Sequence, residues 1–315
     1  MNTYLVTGTS GFVGGNVLLE LLGLGHRVVA CDYAEPVAAL RDEAGELGDV
    51  EWVSMDVSDE AAWDALPGYD YEAAIHTAAI TAPEDDPDPK RTAAVNLMGT
   101  LYALDWAVKR DVPRLVYTSS SAVYRYTTPS GPMKESMCVD PRFTYGLTKI
   151  AGERFLSIYR DNLGLDCCAV RLPSMYGPWE RPTGTRKNMS QVYHLARAVA
   201  AGETCKVAGA EVAQDWTYIG DAARGLIHLA SVRGGPDVMN LSTGEFITLA
   251  EVIDAFNALE PDNGIELVPE SEADVVMTGT SGNQPMDPTL LEETGFVAKT
   301  SIEEGLRSYL EWLRR

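Results

Sequence analysis

The chain has 315 residues, of which 45% are hydrophobic and 23% charged, enough for the packed core of one large domain or of a large and a small one. Its formal net charge of −21 at pH 7 opposes the binding of nucleic acid and of an anionic membrane surface. No apolar run is long enough to span a bilayer, and the first residues lack the basic segment of a signal peptide, so we expect a cytoplasmic protein without a membrane partner.

The first predicted unit is a β-strand, a glycine-rich turn and a helix. Residues 3–7 favour a strand, and the apolar residues that follow the turn recur at helical spacing. In such a unit Gly8 takes the tight turn, Gly11 lets the backbone approach a pyrophosphate, and Gly14 lets the helix pack on the strand. The turn therefore predicts a dinucleotide-binding site. Its expected cofactor-binding residues are Gly8, Ser10, Gly11, Phe12, Val13 and Gly14.

The second predicted strand, residues 27–32, ends in an aspartate that favours NAD over NADP. Asp32 follows the last glycine of the turn by roughly twenty residues, the position from which a carboxylate accepts hydrogen bonds from both ribose hydroxyls of adenosine. The next residue is Tyr33 and not an arginine that would hold a 2′-phosphate. We therefore expect NAD as the cofactor.

Strands and helices alternate over the first half of the chain. Further strands are predicted at residues 50–55, 73–76, 114–118 and 166–172, with helices between them. This alternation is typical of a parallel sheet with right-handed crossovers, that is, of an α/β, Rossmann-type doubly wound fold. Such sheets bind ligands beyond the carboxyl ends of their strands.

Several residues therefore share one edge of the predicted sheet. Asp56 and Val57 follow the third strand, and residues 119–121, all serines, follow the fifth. Ala78 and Ala79 follow the fourth strand, where small residues let the chain pass close under a cofactor. We expect all of these residues to converge with the glycine turn on a single site.

Tyr145 and Lys149 are four residues apart, so they lie one turn apart on one face of a helix predicted over residues 145–162. A nearby ammonium favours the phenolate and lowers the pKa of a phenol, which is about 10 when free. The pair is thus suited to accept the proton of an alcohol that is being oxidised. Alone, the same five residues are also typical of an ordinary surface helix, so this hypothesis depends on the rest of the chain.

From Pro173 onward the pattern changes. A long polar loop is predicted over residues 176–188, and short strands then alternate with helices at about 189–201, 220–232, 248–258 and 301–314. This pattern indicates a smaller α/β lid built over the first domain. We expect an NAD-binding domain over residues 1–172 and a mainly substrate-binding domain over residues 173–315, some segments of which return to the first sheet.

The cysteines and histidines indicate neither disulfides nor a metal site. Five cysteines form an odd set that includes the neighbours Cys167 and Cys168, which sit in an apolar run and are interpreted as core thiols. No spacing of cysteine and histidine resembles a zinc site. We expect no metal.

The motifs together resemble the extended short-chain dehydrogenase/reductases, the NAD-dependent epimerase/dehydratase family. The resemblance rests on the glycine turn at residues 8–14, on Ser120 and on the Tyr-x-x-x-Lys pair at residues 145–149. Later landmarks are Tyr-Gly-Pro at residues 176–178 and Asp-Trp-Thr-Tyr-Ile-Gly-Asp at residues 215–221. Because these motifs appear in the order of the family, the resemblance covers nearly the whole chain.

The resemblance implies a mechanism and a site. Tyr145 is expected to remove the proton from a substrate hydroxyl. Ser120, with Ser121 as the alternative, is expected to hydrogen-bond the reacting oxygen. Lys149 is expected to hold the nicotinamide ribose and to lower the pKa of the tyrosine, while hydride passes to NAD. The resemblance also implies that Asn96 and the turn at residues 77–79 line the cofactor site.

Two departures from the family pattern narrow the chemistry. Dehydratases of the family carry an Asp-Glu pair directly after the catalytic serine or threonine, where this chain has Ser121 and Ala122, so we do not expect dehydration. Epimerases that invert a centre next to a carbonyl use a cysteine at the position of Ala122. Cys138 is interpreted as a loop thiol, with an approach to the site as the alternative.

The substrate end also departs from the family. Nucleotide-sugar members commonly contact the diphosphate through an asparagine and an arginine, where this chain has Ser174 and Gln214. Arg181 and Arg186 either replace these partners, hold a carboxylate or a single phosphate, or are solvated loop residues. Arg125 stands where the family has a glycine and is expected to face the substrate. The expected substrate-binding residues are Ser121, Arg125, Ser174, Arg181, Arg186 and Gln214.

Three interpretations of the function remain open. The first is a 4-epimerase of a nucleotide sugar, and the second is a net NAD-dependent dehydrogenase of a free sugar, sugar acid or polyol. The third is a non-catalytic scaffold that senses a dinucleotide, since a fold does not determine a function. Members of the family usually dimerise through two long helices, here at about residues 92–109 and 145–162, so we also expect a homodimer.

Overall fold

The computed structural model describes residues 1–81, 83, 85–124, 131–186, 188–278 and 284–315. Its strands are β1 (Thr3–Thr7), β2 (Arg27–Asp32), β3 (Val50–Ser54), β4 (Tyr71–His76), β5 (Leu115–Ser120), β6 (Cys167–Leu172), β7 (Ser174–Tyr176), β8 (Cys205–Ala208), β9 (Ala213–Gln214), β10 (Trp216–Tyr218), β11 (Val238–Asn240), β12 (Ile247–Thr248), β13 (Ile265–Leu267) and β14 (Val275–Val276). Its α-helices are α1 (Phe12–Gly23), α2 (Ala38–Leu47), α3 (Glu60–Asp64), α4 (Pro89–Ala93), α5 (Gly99–Lys109), α6 (Thr144–Leu163), α7 (Gln191–Ala201), α8 (Ile219–Ser231), α9 (Leu249–Leu259), α10 (Thr289–Glu292) and α11 (Ile302–Leu313). Short 3-10 helices lie at Ser121–Tyr124 and Glu270–Glu272, and a π-helical segment lies at Ala94–Met98.

The central sheet of the described residues has seven parallel strands in the order β3-β2-β1-β4-β5-β6-β11. From β1 the chain builds outward through β2 and β3 on one side, and from β4 through β5 and β6 on the other. The two halves therefore diverge between β1 and β4, and a crevice opens there at the carboxyl ends of the strands. The predicted Rossmann-type doubly wound parallel sheet is confirmed.

The strands are nearly continuous apolar runs because helices cover both faces of the sheet. Successive residues of a strand point to opposite faces and so enter different cores. In β6, Cys168 packs in the core that contains α1 and α8, while Cys167 packs in the core that contains α5 and α6. Both thiols are buried and free, as expected of core cysteines.

The helix predicted over residues 92–109 begins earlier and is not regular. It runs as α4, the π-helical segment and α5 from Pro89 to Lys109, and the side chain of Asp88 caps its first turn by accepting from Arg91 N. A π turn inserts one residue into the helical repeat, which shifts the face that the following residues present. Asn96 lies in this segment and is only 1% exposed.

Helix α6 carries Tyr145 and Lys149 along the sheet. It ends at Leu163, and Gly164 follows in the left-handed conformation, with φ of 72°, so that its amide N–H bonds back into the last turn. A left-handed residue at this position suits glycine, and the end of the helix was predicted from it. Helix α6 packs on β5 and β6, which places its first turn beside the carboxyl end of β5.

A second, smaller core lies in the later part of the chain. It combines α7, α9 and α11 with the small sheet β13-β8-β14. Two later segments nevertheless belong to the main sheet, because β11 pairs with β6 and α8 packs on α1. The division into two domains at residue 172 remains a prediction. It included the expectation that some later segments return to the first sheet.

None of the helices in the described ranges is long and apolar enough to cross a bilayer.

Candidate functional site

The glycine turn between β1 and α1 leaves no room for side chains at two of its glycines. Gly8 has φ of 76°, and its amide N–H bonds to the carbonyl of Cys31 in β2. A Cβ on Gly14 would lie 2.2 Å from the carbonyl oxygen of Gly8. The N-terminus of α1 is thereby held against the strands, with its first backbone N–H groups facing the crevice, which fits the diphosphate of a dinucleotide.

Asp32 lies at the end of β2 beside this turn. Its Oδ2 accepts from Ser10 N at 2.8 Å and its Oδ1 accepts from Ala34 N at 2.9 Å. Burial raises the pKa of Asp32, while these backbone hydrogen bonds and the charge of Arg181 act to lower it. Each carboxylate oxygen keeps a lone pair that can accept from a ribose hydroxyl.

The far wall of the crevice is built from residues that follow β3 and β4. Asp56, Val57, Ala78 and Ala79 line the same cleft as the glycine turn, as predicted. Asp56 accepts from Ser58 N and Oγ at 3.0 and 2.7 Å and pairs with an arginine. Burial would raise the pKa of Asp56, but these hydrogen bonds outweigh it and lower that pKa.

The arginine that pairs with Asp56 was not predicted. Arg91, in α4, lies 2.7 Å from Oδ2 of Asp56 and donates to Ser58 Oγ at 2.8 Å. Its guanidinium also lies 6.0 Å from the centre of the Tyr33 ring. Arg91 thus lines the cleft beside Asp56 and Tyr33.

Asn96, which was expected to line the cofactor site, has hydrogen-bond partners inside the protein. Its Oδ1 accepts from Ile80 N at 2.7 Å, and its Nδ2 donates to Ile80 O at 3.0 Å and to Thr148 Oγ1 at 3.2 Å. Both amide atoms are therefore used inside the protein, and the side chain is absent from the lining of the cleft. Asn96 instead ties the chain after β4 to α6, close to the first turn that carries Tyr145.

Ser120, Tyr145 and Lys149 meet at the carboxyl end of β5. The Ser120 hydroxyl acts to lower the pKa of Tyr145, and its Oγ accepts from Ala122 N at 3.2 Å. Lys149 is 2% exposed, and its Nζ donates to Thr118 O at 2.8 Å. The same Nζ lies 5.7 Å from the centre of the Tyr145 ring. The three predicted catalytic side chains thus form one contiguous group at the bottom of the cleft.

The electrostatics of this group differ from the prediction. We expected Lys149 to lower the pKa of Tyr145, but burial raises that pKa, and the groups that act to lower it are Ser120 and Arg186. Burial also lowers the pKa of Lys149 to about 7, against the opposing effect of Glu153. A buried ammonium is poorly solvated, which weakens the positive charge that the prediction relied on.

A buried polar network behind these residues escaped the prediction. Glu153, one helical turn after Lys149, accepts from Ser119 Oγ at 2.5 Å and forms an ion pair of 2.7 Å with Arg171 of β6. The two charged side chains are 1% and 2% exposed. Arg171 also donates to the hydroxyl of Tyr124 at 2.6 Å. An arginine inside a fully buried strand needs an acidic partner, and that requirement was the available signal.

At the other end of the cleft Ser174 and Gln214 are hydrogen-bonded to each other, through Nε2 of Gln214 and Oγ of Ser174. Both line the cleft together with Ser121, as predicted. Arg125, the remaining expected contact in this region, lies outside the described residues. Neither side chain of this pair carries a charge.

The two loop arginines lie in different places. Arg186 donates to Oε1 of the buried Glu180 at 2.7 Å, its guanidinium stacks 5.2 Å from the centre of the Phe12 ring, and its charge reaches Tyr145. The role of Arg186 as a substrate contact remains a prediction. Arg181, by contrast, donates to Ser10 O at 2.5 Å on the glycine turn. The structure therefore moves Arg181 from the substrate end to the cofactor end of the cleft.

The cleft has a volume of about 980 Å³ and continues from Asp32 past the glycine turn to Tyr145 and Gln214. This volume lies at the upper end of the range for small-molecule sites. Cys138 is exposed and does not line the cleft, which agrees with its interpretation as a loop thiol. Within the described ranges no three histidine, cysteine, aspartate or glutamate residues are placed to hold a metal ion.

Comparison with known proteins identifies relatives over the whole chain. Residues 4–242 match the NAD dependent epimerase/dehydratase family. The UDP-glucose 4-epimerase of Mycolicibacterium smegmatis is 29% identical over 316 residues, covering 98% of both chains. The crystal structure of the UDP-glucose 4-epimerase of Thermotoga maritima with UDP-glucose matches the fold with a TM-score of 0.84 at 24% identity, covering 99% of this chain and 98% of that one. MoeE5 in complex with UDP-glucose and NAD matches with a TM-score of 0.78 at 28% identity, covering 99% of both chains.

Proposed function

The chain belongs to the NAD dependent epimerase/dehydratase family, and from this premise we propose that it is an NAD-dependent 4-epimerase of a nucleotide sugar. The family resemblance that the motifs predicted is thereby confirmed. One relative that matches nearly the full chain is named a UDP-glucose 4-epimerase. A structural neighbour of similar coverage is described in complex with UDP-glucose and NAD. These names support the proposal for this chain.

The observation that carries the proposal is the meeting of Ser120, Tyr145 and Lys149 in the cleft that also contains the glycine turn. When bound, NAD supplies the hydride acceptor that oxidation of a carbinol carbon requires. The backbone of the glycine turn and the carboxylate of Asp32 fit its diphosphate and its adenosine ribose. We propose that the reacting end of the dinucleotide lies toward Tyr145.

Proton transfer is assigned to the tyrosine. The Tyr145 phenolate accepts the proton of the substrate hydroxyl, and the Ser120 hydroxyl holds the reacting oxygen in place. Arg186 and Ser120 favour the phenolate, in opposition to burial. Lys149, with a pKa of about 7, can hold or release a proton beside the tyrosine at neutral pH. In an epimerase the same phenol returns the proton after the substrate has presented its other face, so that no net oxidation remains.

The test is to incubate the purified protein with NAD⁺ and with UDP-, GDP- and dTDP-sugars, and to follow both absorbance at the NADH band and the configuration of the sugar. A change of configuration at C4 without accumulation of NADH is the expected result. Accumulation of NADH in proportion to product would exclude a redox-neutral epimerase. In Asp32→Ala, calorimetric titration should show weaker binding of NAD and little change in the binding of NADP. Equal weakening of the binding of both cofactors would contradict the role given to Asp32.

A second candidate is a net dehydrogenase of a free sugar, sugar acid or polyol. The observation that favours it is the neutral hydrogen-bonded pair of Ser174 and Gln214, at positions where nucleotide-sugar members carry diphosphate contacts. Such a pair offers no positive charge to a diphosphate. The same assay decides, because turnover of unphosphorylated sugars with NADH release would favour this candidate. The scaffold interpretation is set aside because all three side chains of the reacting group are present and in contact.

We also propose that the protein forms a homodimer and acts in the cytoplasm. The outer sides of the π-helical segment and α6 expose large apolar side chains, which are Met98, Leu147, Ile158 and Leu163. Apolar residues on neighbouring helices are suited to helix-to-helix packing between two copies. Light scattering would give twice the mass of the chain, and Leu147→Asp with Ile158→Asp should return it to the monomer mass.

A further inference from the structure

Residues 178–186, here called the strap, cross the open side of the cleft and bind the first helix and its glycine turn. Asn16 in α1 donates from Nδ2 to the carbonyl of Pro178 at 3.0 Å. Farther along, Arg181 donates from its guanidinium to the carbonyl of Ser10 at 2.5 Å. The first half of the strap is thus attached at two points to the element that would carry a diphosphate.

The second half of the strap is attached on the opposite side of the crevice and above α1. Thr81, which follows β4, donates from its amide N–H to the carbonyl of Thr185 at 3.0 Å. The guanidinium of Arg186 lies 5.2 Å from the centre of the Phe12 ring at the start of α1. Since its ends reach both β-strand halves of the sheet, the strap bridges the crevice instead of lying beside it.

Arg181 is the side chain of the strap that is free to bind an anion. Among the described residues Arg181 forms no ion pair, and its one hydrogen bond is to the carbonyl of Ser10. Its charge nevertheless reaches Asp32, and burial, opposed by that carboxylate, lowers the pKa of Arg181. A half-buried guanidinium with most of its N–H groups unused is suited to bind a phosphate in two-pronged fashion.

The neighbours of Arg181 indicate which anion it binds. Ser10 belongs to the glycine turn and Asp32 is the expected ribose contact, so Arg181 lies over the cofactor end of the cleft, whereas Arg186 is the cation whose field reaches Tyr145. The other described cation at that end, Arg91, is already paired with an aspartate. A diphosphate on the glycine turn would meet backbone N–H groups on one side and Arg181 on the other.

We propose that Arg181 binds the diphosphate of NAD from the strap, and that the cofactor leaves only when the strap detaches from the glycine turn. The inference rests on the proposed function in that it takes NAD as the ligand. It goes beyond that function because it assigns a contact from the later part of the chain and makes detachment of the strap a condition for cofactor release. An epimerase benefits, since its cofactor ends each cycle in its starting oxidation state and needs no exchange.

The test compares three ligands on the protein freed of bound nucleotide, by calorimetric titration. Adenosine carries no phosphate, ADP-ribose carries the diphosphate without nicotinamide, and NAD⁺ carries both. Arg181→Ala should lower the affinity for ADP-ribose and for NAD⁺ by about 10- to 100-fold, because a charged hydrogen bond to phosphate is lost. The affinity for adenosine should not change. Arg181→Lys, which keeps the charge, should recover part of the loss. Arg307→Ala, at an exposed arginine of α11, is the matched control and should change none of the three.

A rate measurement tests the strap itself. Asn16→Ala removes the attachment to Pro178 without removing a charge, so NAD release, followed by displacement in a stopped-flow instrument, should become faster in this variant and in Arg181→Ala. Thermal unfolding of each variant shows whether it is folded.

Two results would overturn the inference. Unchanged affinity for ADP-ribose in Arg181→Ala would remove the diphosphate contact, and equal weakening of adenosine would show that Arg181 only supports the glycine turn through Ser10. Failure of the proposed function gives a different result. If NAD⁺ binding depends on Arg181 as predicted but the protein alters no nucleotide sugar, the inference about the strap is supported and the proposed epimerase function is refuted.

Discussion

The hydroxyl of Ser119 donates a 2.5 Å hydrogen bond to Oε1 of Glu153, so the residue before Ser120 and the residue one helical turn after Lys149 are joined directly. Glu153 also pairs with the buried Arg171. Strands β5 and β6 and helix α6 are therefore fastened together within one residue or one turn of the proposed catalytic side chains. This arrangement makes the geometry of the site depend on a buried ion pair.

Replacing one partner of the Glu153–Arg171 ion pair should destabilise the protein more than replacing both. Glu153→Gln leaves the guanidinium of Arg171 buried without its carboxylate, and the free energy of unfolding should fall by about 3–5 kcal/mol. The double variant Glu153→Leu with Arg171→Met should recover part of the loss, since no unpaired charge remains. Urea denaturation measures both. Arg307→Ala breaks an exposed pair with Glu303 and should change stability by less than about 1 kcal/mol.

Tyr145→Phe should abolish turnover without unfolding the protein. The variant keeps the ring but loses the hydroxyl that takes the proton, and the rate constant kcat should fall by about 10²–10⁴-fold. Binding of NAD, measured by calorimetric titration, should stay within a few-fold of the wild type. Tyr69→Phe, which removes an exposed phenol bonded to Glu51, is the control. Full activity in Tyr145→Phe would refute the proposed mechanism.

The charge of Arg186 should set the pH dependence of the reaction. This charge acts to lower the pKa of Tyr145, so Arg186→Gln should raise that pKa further. A base works in its deprotonated form, and the rising limb of kcat/KM with pH should therefore move to higher pH, with lower activity at neutral pH. Arg186→Lys should restore part of the shift. An unmoved limb would show that Tyr145 is insensitive to this charge.

The buried lysine should give stability an unusual pH dependence. Burial lowers the pKa of Lys149 to about 7 in the folded protein, while the unfolded chain keeps the ordinary higher value of 10.5. Between these values the unfolded state holds the extra proton, so raising the pH stabilises the wild type. Lys149→Met lacks this effect, and its stability relative to the wild type should fall as the pH rises from 7 toward 10. Lys109→Met, at an exposed lysine, should show no such trend.

Two glycines of α1 should respond to alanine in opposite directions. A Cβ at Gly14 would lie 2.2 Å from the Gly8 carbonyl oxygen, so Gly14→Ala should lower the free energy of unfolding by about 1–3 kcal/mol or more. At Gly23 a Cβ would meet nothing within 4 Å, and Gly23→Ala should raise it by about 0.5–1 kcal/mol. Gly14→Ala should also weaken NAD binding. Thermal unfolding and calorimetric titration measure the two effects, and equal behaviour of the two variants would contradict the packing at Gly14.

Residues at strand ends could be predicted because the topology of a parallel sheet brings them to one edge. Asp32, Ala78 and Ser120 needed only the alternation of strands and helices to be placed near the glycine turn. Asn96 was expected in the site from the family resemblance alone, and no periodic pattern in the sequence marks the π turn that contains it. The position of Arg181 could not be predicted, since a loop without periodicity does not reveal which end of a cleft it reaches.

The sign of the effect on Tyr145 was missed for a different reason. The sequence shows that Lys149 is one turn away from the tyrosine, but it does not show how deeply both side chains are buried. Burial raises the pKa of Tyr145 and lowers the pKa of Lys149. Spacing thus predicted the partners correctly and their protonation incorrectly.

The return of α8 and β11 to the main sheet restricts how the protein can open. After β6 the chain passes to the smaller core, comes back for α8 and β11, leaves again, and Leu291 of α10 packs once more in the core of the main sheet. The two halves are thus tethered at several separate connections and cannot swing about a single pivot. Access for ligands must then come from local displacement of short segments, with the bulk of both halves staying in place.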